Sequence, residues 1–223
     1  MRWLLWREYR LNRLILIAGG AFFVLPYAIV GLGILFGWCE SDHIVGAWMV
    51  STLSVNLLAA LLAGNAIAGE RTDRSAEFIA YLPLSRRRIV AGKVLFTLLV
   101  FTPVWCITRV VIDNVPLSTI SAHMLLDLRP YLVGVLLIYG VGWLLSSCLS
   151  SVTAASMLGI VGIFLICLGY TFISTPQGSD EMISIMMDRE RYGDAVFWYT
   201  IIWIPVAVIC FSLGTWNYVR RSR

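Results

Sequence analysis

The chain has 223 residues, of which 59% are hydrophobic and 13% charged, with a mean hydropathy of +0.83. An ordinary soluble domain carries about 25% charged residues, so this composition argues against a water-soluble globule. It points to an all-α integral membrane protein, because several apolar runs reach the roughly 20 residues needed to span a bilayer. The net charge of +4 rests on sixteen Arg and a single Lys, Lys93, gathered at the ends of apolar runs, a pattern of membrane topology rather than of nucleic-acid binding.

Residues 1–13 (MRWLLWREYRLNR) mix Trp3, Leu4, Trp6 and Leu11 with Arg2, Arg7, Glu8, Arg10 and Arg13. Trp and Arg together suit the membrane–water boundary, so an N-terminal interfacial helix is expected here rather than a cleaved signal peptide. A first span covers 14–37, with Pro26 as a kink that neighbouring helices can tolerate. After a short acidic connector, a second span covers 44–68. In it Ala60, Gly64 and Ala68 recur every fourth residue, a face that suits close packing within the subunit and a seam between two subunits equally well.

The only long polar interruption between strongly apolar blocks follows, at 69–88. A third span covers 89–112, a connector with Pro116 leads to a fourth at 131–149, and an uncharged small-residue link leads to a fifth at 152–173. The outer connector 174–194 carries Met182, Ile183, Ile185, Met186 and Met187 between charged flanks. It suits either a re-entrant element dipping into the outer leaflet or a plain solvated loop. A sixth span covers 195–219 and ends in Arg220, Arg221 and Arg223.

Six spans put both termini on one side. The segments on that side hold thirteen of the seventeen cations against four acids, a net of +9, while the other side holds four cations against nine acids, a net of −5. By the positive-inside rule both termini and the 69–88 loop are expected to be cytoplasmic.

No catalytic constellation is evident. Gly92-Lys93 lacks the upstream glycine of a phosphate-binding loop. No acid or base falls deep in a span, which argues against an ion-coupled transporter. Arg109 and Asp113, one helical turn apart at the outer end of the third span, read either as a snorkelling pair or as the polar lining of an exit vestibule. The five cysteines (Cys39, Cys106, Cys148, Cys167, Cys210) show no CxxC and no ligand cluster, and read as small core hydrophobes without disulfide or metal.

Within 69–88 the residues suggest a helix from about Thr72 to Tyr81. It would display Arg71, Arg74, Glu77 and Arg86 to solvent or a partner and place Phe78, Ile79 and Leu82 on an apolar face. Pro83 forces a turn and Ser85 can cap the next helix. The stretch Gly69–Lys93 (GERTDRSAEFIAYLPLSRRRIVAGK) resembles the loop after the second span of type-two ABC exporter permeases. The resemblance rests on Glu70-Arg71, Glu77, Leu82-Pro83-Leu84-Ser85, Arg86 to Arg88 and Gly92-Lys93. Asp73-Arg74-Ser75 departs from it, since many members have a Gly-Thr pair there. The family also has an N-terminal interfacial helix, six spans and an outer re-entrant element, so the likeness covers the whole chain.

The resemblance implies a non-catalytic permease in the cytoplasmic membrane of a prokaryote, paired with a second permease copy and surrounded by membrane lipids. A separate ABC ATP-binding subunit would supply ATP and Mg, with no cofactor in this chain and no nucleic acid as partner. The coupling helix would meet that subunit through Glu70, Arg71, Arg74, Glu77, Phe78, Leu82, Pro83, Ser85 and Arg86, and transport would run by alternating access. Aromatic spans (Phe22, Phe23, Trp105, Trp143, Phe164) suit a lipid-like or hydrophobic peptide cargo. The alternative is a membrane scaffold or immunity-type protein that binds a partner without transporting.

Overall fold

A computed structural model of the chain describes residues 2–39, 43–72, 85–114, 128–161 and 189–220. They form helices α1 (Arg2–Leu35), α2 (His43–Thr72), α3 (Arg86–Asn114), α4 (Leu128–Cys148), α5 (Val152–Val161) and α6 (Arg189–Arg220), with no strand among the described residues. Among the described residues α1, α2, α3, α4 and α6 are long and apolar enough to cross a membrane. α5 is an apolar helix at the start of the expected fifth span, whose residues 162–173, like 174–188 of the outer connector, lie outside the described residues. At 1.5 Å per residue the 34 residues of α1 extend about 51 Å, well past a hydrocarbon core of about 30 Å, so its ends project into polar surroundings.

The N-terminal segment differs from expectation. Residues 2–13 run without a break into the first span, because no Gly or Pro interrupts the helix at the junction. One face of this segment, Leu4, Glu8 and Asn12 at four-residue spacing, is buried against the bundle, while Trp3, Trp6 and Tyr9 are exposed. The other end of α1 closes on Gly37, whose φ of +73° lies in the left-handed region. There Trp38 N–H donates to Gly33 O (2.7 Å) and Gly37 N–H to Ile34 O (3.1 Å), the paired bonds of a Schellman stop.

α2 and α4 form the centre of the bundle. Half of the apolar window of α2 is buried, against 6% of that of α1, whose outward side chains such as Leu14, Ile17, Phe22 and Ile29 remain exposed. Such bare apolar faces suit lipid, not water. Small residues bring the inner helices together. A methyl on Gly142 of α4 would fall 2.8 Å from Ala63 Cβ of α2, and one on Gly140 would fall 2.5 Å from the Ala207 carbonyl oxygen of α6. A methyl on Gly64 of α2 would strike the Ser156 side chain of α5. Ala59, Ala60, Ala63 and Ala68 are fully buried. The small face of α2 is therefore filled from within the chain, which favours the first of its two readings.

The cysteines are not in the core: Cys106 and Cys148 are exposed, and Cys39 and Cys210 half-buried, all as free thiols. As small apolar groups they cost little against lipid, so nothing forces them inward. Cys167 lies outside the described residues.

Candidate functional site

The start of α1, the end of α2, the start of α3 and the ends of α4 and α6 meet at one end of the bundle. The antiparallel packing of α1 on α2 and the parallel packing of α4 on α6, in which Gly140 meets Ala207 and Asn217 meets Ser147, produce this convergence. It is the end from which the 73–84 loop emerges.

Two acidic and two basic side chains gather there, three of them buried and one nearly so. Glu8, Glu70 and Lys93 are each less than 5% exposed, and the Arg7 side chain is 12% exposed. Arg7 Nη2 donates to Glu70 Oε1 at 2.9 Å. Lys93 Nζ stands 3.1 Å from both Glu8 Oε1 and Glu70 Oε1. Arg7 Nη1 lies 3.8 Å from Glu8 Oε1, and Tyr218 O–H donates to Glu70 Oε2 at 3.1 Å. Two cations and two carboxylates cancel, which is the condition for burying charge without a large uncompensated desolvation cost. The members come from α1, α2, α3 and α6, so the cluster joins four helices at one point.

The network extends on both sides. Asn65 of α2 donates to Asn12 Oδ1 of α1 at 2.7 Å, and Asn12 donates to the Glu8 carbonyl at 2.9 Å. On α3, Thr97 Oγ1 bonds the Lys93 carbonyl at 2.9 Å and lies 2.8 Å from Tyr139 OH of α4. Arg71 reaches over the end of α4, donating to Ser147 O at 2.8 Å and Leu149 O at 3.1 Å. A cation placed on terminal carbonyls satisfies acceptors the helix cannot, and it opposes the negative end of the helix dipole. Asn217 of α6 donates to Ser147 Oγ at 3.2 Å on the same turn.

Of the nine residues expected to couple to a partner, four are described. Glu70 and Arg71 belong to the last turn of α2, which continues past the expected span end at residue 68. Arg71 was expected to be displayed, but its guanidinium is part-buried on the α4 terminus, because unsatisfied carbonyls there attract it more strongly than solvent does. Ser85 stands immediately before α3, and its carbonyl accepts from Arg88 N–H at 2.9 Å, which is the position expected of a cap. The Arg86 guanidinium lies 5.2 Å from the centre of the Tyr218 ring, a cation–π contact. Tyr218 thus touches both roots of the loop, Glu70 through its hydroxyl and Arg86 through its ring. Arg74, Glu77, Phe78, Leu82 and Pro83 lie outside the described residues. At the opposite end Arg109 is exposed on α3 and Asp113 follows one turn on, its side chain outside the described set.

Sequence reasoning missed Arg7, Glu8, Lys93, Tyr218 and Asn217 as members of this site. Two signals were present. Glu8 falls on the same four-residue stripe as Leu4 and Asn12, and Lys93 lies two turns inside an apolar helix between Ile89, Val90 and Phe96, all buried. The cluster offers no nucleophile paired with a base. Its chemistry is that of a neutral cross-brace, holding the loop roots in fixed relation to α1, α3, α4 and α6.

A comparison with curated proteins found no match. A family model described as ABC-2 family transporter protein matches residues 11–215, nearly the whole chain, including Glu70 and Lys93 of the cluster, while Arg7, Glu8 and Tyr218 lie just outside the match. With its five long apolar helices and its cross-braced loop root, the chain belongs to the ABC-2 transporter membrane family.

Proposed function

We propose that this chain is the export permease of an ATP-driven transporter, working as a dimer with itself or with a sister chain. Hydrolysis of ATP, with its Mg, belongs to a separate cytoplasmic subunit that docks on the 73–84 loop. Movement of that loop switches the bundle between inward and outward access in a prokaryotic cytoplasmic membrane, with both termini on the cytoplasmic side. The cargo is lipid-like, peptide or otherwise amphipathic, in keeping with the aromatic, apolar spans. Exposed Arg87 and Arg88, next to the internally held Arg86, are free to meet the ATP-binding subunit or lipid headgroups.

The observation that carries this reading is the bracing of both loop roots. Glu70 and Arg71 on one side and Arg86 on the other are tied to α1, α3, α4 and α6 through side chains buried in the bundle. A solvated connector has no need of such ties, whereas a loop that transmits force does.

The test is purification of the tagged full-length chain from its native host, followed by assay for ATPase activity in proteoliposomes. Capture of an ATP-binding subunit is expected. Glu77→Arg and Pro83→Gly should insert normally yet uncouple ATP turnover from transport. Failure to capture any ATP-binding subunit, or unaltered coupling in both variants, refutes the proposal.

A further inference from the structure

Ser146, near the end of α4, is fully buried against α2. Its hydroxyl donates to the Gly64 carbonyl at 2.8 Å and accepts from Ile67 N–H at 3.0 Å and Ala68 N–H at 2.8 Å. In an unmodified α-helix Ala68 N–H points at Gly64 O and Ile67 N–H at Ala63 O. Here one oxygen from a neighbouring helix stands between the Gly64 carbonyl and the amides a turn further on. A side chain inserted in the hydrogen-bond ladder is a recognised cause of helix bending. The close approach it requires is provided by Gly142, against which a methyl would meet Ala63.

We infer that Ser146 makes a joint in α2, separating the membrane-embedded body of the helix from the short lever that carries the loop. The lever is held by other helices. Asn65 bonds Asn12, Glu70 sits in the ionic cluster, and Arg71 clasps the end of α4. Ser146 lies between the lever and the body and keeps the backbone groups at Gly64, Ile67 and Ala68 bonded. The lever, together with the helix ends tied to it, can then shift against the body of α2 without exposing unsatisfied amides to an apolar interior, where each would be costly. Bending is thereby concentrated at one place, directly above the loop root, instead of being spread along a 30-residue helix. The use of the joint in transport rests on the proposed function; its existence does not.

The experiment is hydrogen–deuterium exchange on the full-length chain in lipid nanodiscs, without any partner. In the wild type, the Ile67 and Ala68 amides should exchange at least about fivefold faster than those of residues 58–62 in the body of the helix, because a bond to one shared side-chain hydroxyl opens more readily than a bond of the backbone ladder. Ser146→Ala removes the wedge and lets α2 close its own ladder, so exchange over 64–70 should slow about fivefold. Ser146→Cys keeps a weak donor and acceptor at that place and should stay within about twofold of wild type. Uniform protection along wild-type α2 overturns the joint even if neither variant folds. Unchanged or faster exchange in Ser146→Ala, or equal slowing in Ser146→Cys, overturns it as well. Since no ATP-binding subunit is present, failure here is distinct from failure of the transporter reading.

Discussion

Lys93→Met probes the ionic cluster most directly. Methionine keeps the length and apolar stem of lysine but removes the charge that touches Glu8 and Glu70, both at 3.1 Å. With an effective dielectric constant near 20, a unit pair at about 3 Å attracts by about 5 kcal/mol before desolvation is counted. Two carboxylates would then share one cation, Arg7, which approaches Glu8 only to 3.8 Å. Removing one partner from a buried pair costs about 3–5 kcal/mol, most of it the burden of the charge left behind. Adding Glu8→Gln restores neutrality, leaving Arg7, Glu70 and Tyr218. The double variant should therefore lie within about 2 kcal/mol of wild type, although each single change is severe. Equilibrium unfolding in mixed micelles, run as a double-mutant cycle, measures this. If the double variant shows the sum of the single losses to within about 0.5 kcal/mol, the charges are not energetically coupled and the cross-brace fails as an explanation.

Arg71→Ala should lose about 1–3 kcal/mol in the same assay, because the Ser147 and Leu149 carbonyls lose a charged donor; Arg71→Lys should recover part of it. Tyr218→Phe keeps the ring under Arg86 but removes the bond to Glu70, with an expected cost of about 1.5–3 kcal/mol. Gly140→Ala drives a methyl to 2.5 Å from backbone of α6 and should cost about 1–3 kcal/mol, whereas Gly134→Ala on the same helix meets nothing within 4 Å and should gain about 0.5–1 kcal/mol. Thermal unfolding of the two glycine variants side by side checks this, and equal shifts would refute the packing described for α4 and α6.

Much of the architecture was legible because it depends on one-dimensional properties. Long apolar runs specify helices in a bilayer, where every backbone group must be bonded internally, and short polar breaks separate them. The loop pattern from Glu70 to Lys93 pointed to the family later matched over residues 11–215. The extent of α1 was less legible. Its Arg- and Trp-rich start reads as interfacial by composition, yet helix continuity across residue 13 is set by local backbone preference, which composition does not report.

The functional site was legible only in outline. By itself the sequence determined the class of protein, the order of the apolar helices among the described residues, the uneven spread of its charge and the place of the polar break between α2 and α3. Which charges face inward was decided by tertiary structure alone. Arg7 and Arg10 are alike in a sequence, but one lies beside Glu70 and the other stacks on Trp6 at the surface. Glu70 reads as a partner-facing acid until Lys93, 23 positions later, and Tyr218, 148 positions later, close around it. A buried charge is tolerable only when partners from distant segments arrive together, and their arrival depends on how the helices pack. The same holds for Ser146, one serine among several in an uncharged link, whose hydroxyl acquires its place in the α2 ladder only because Gly142 lets the two helices touch.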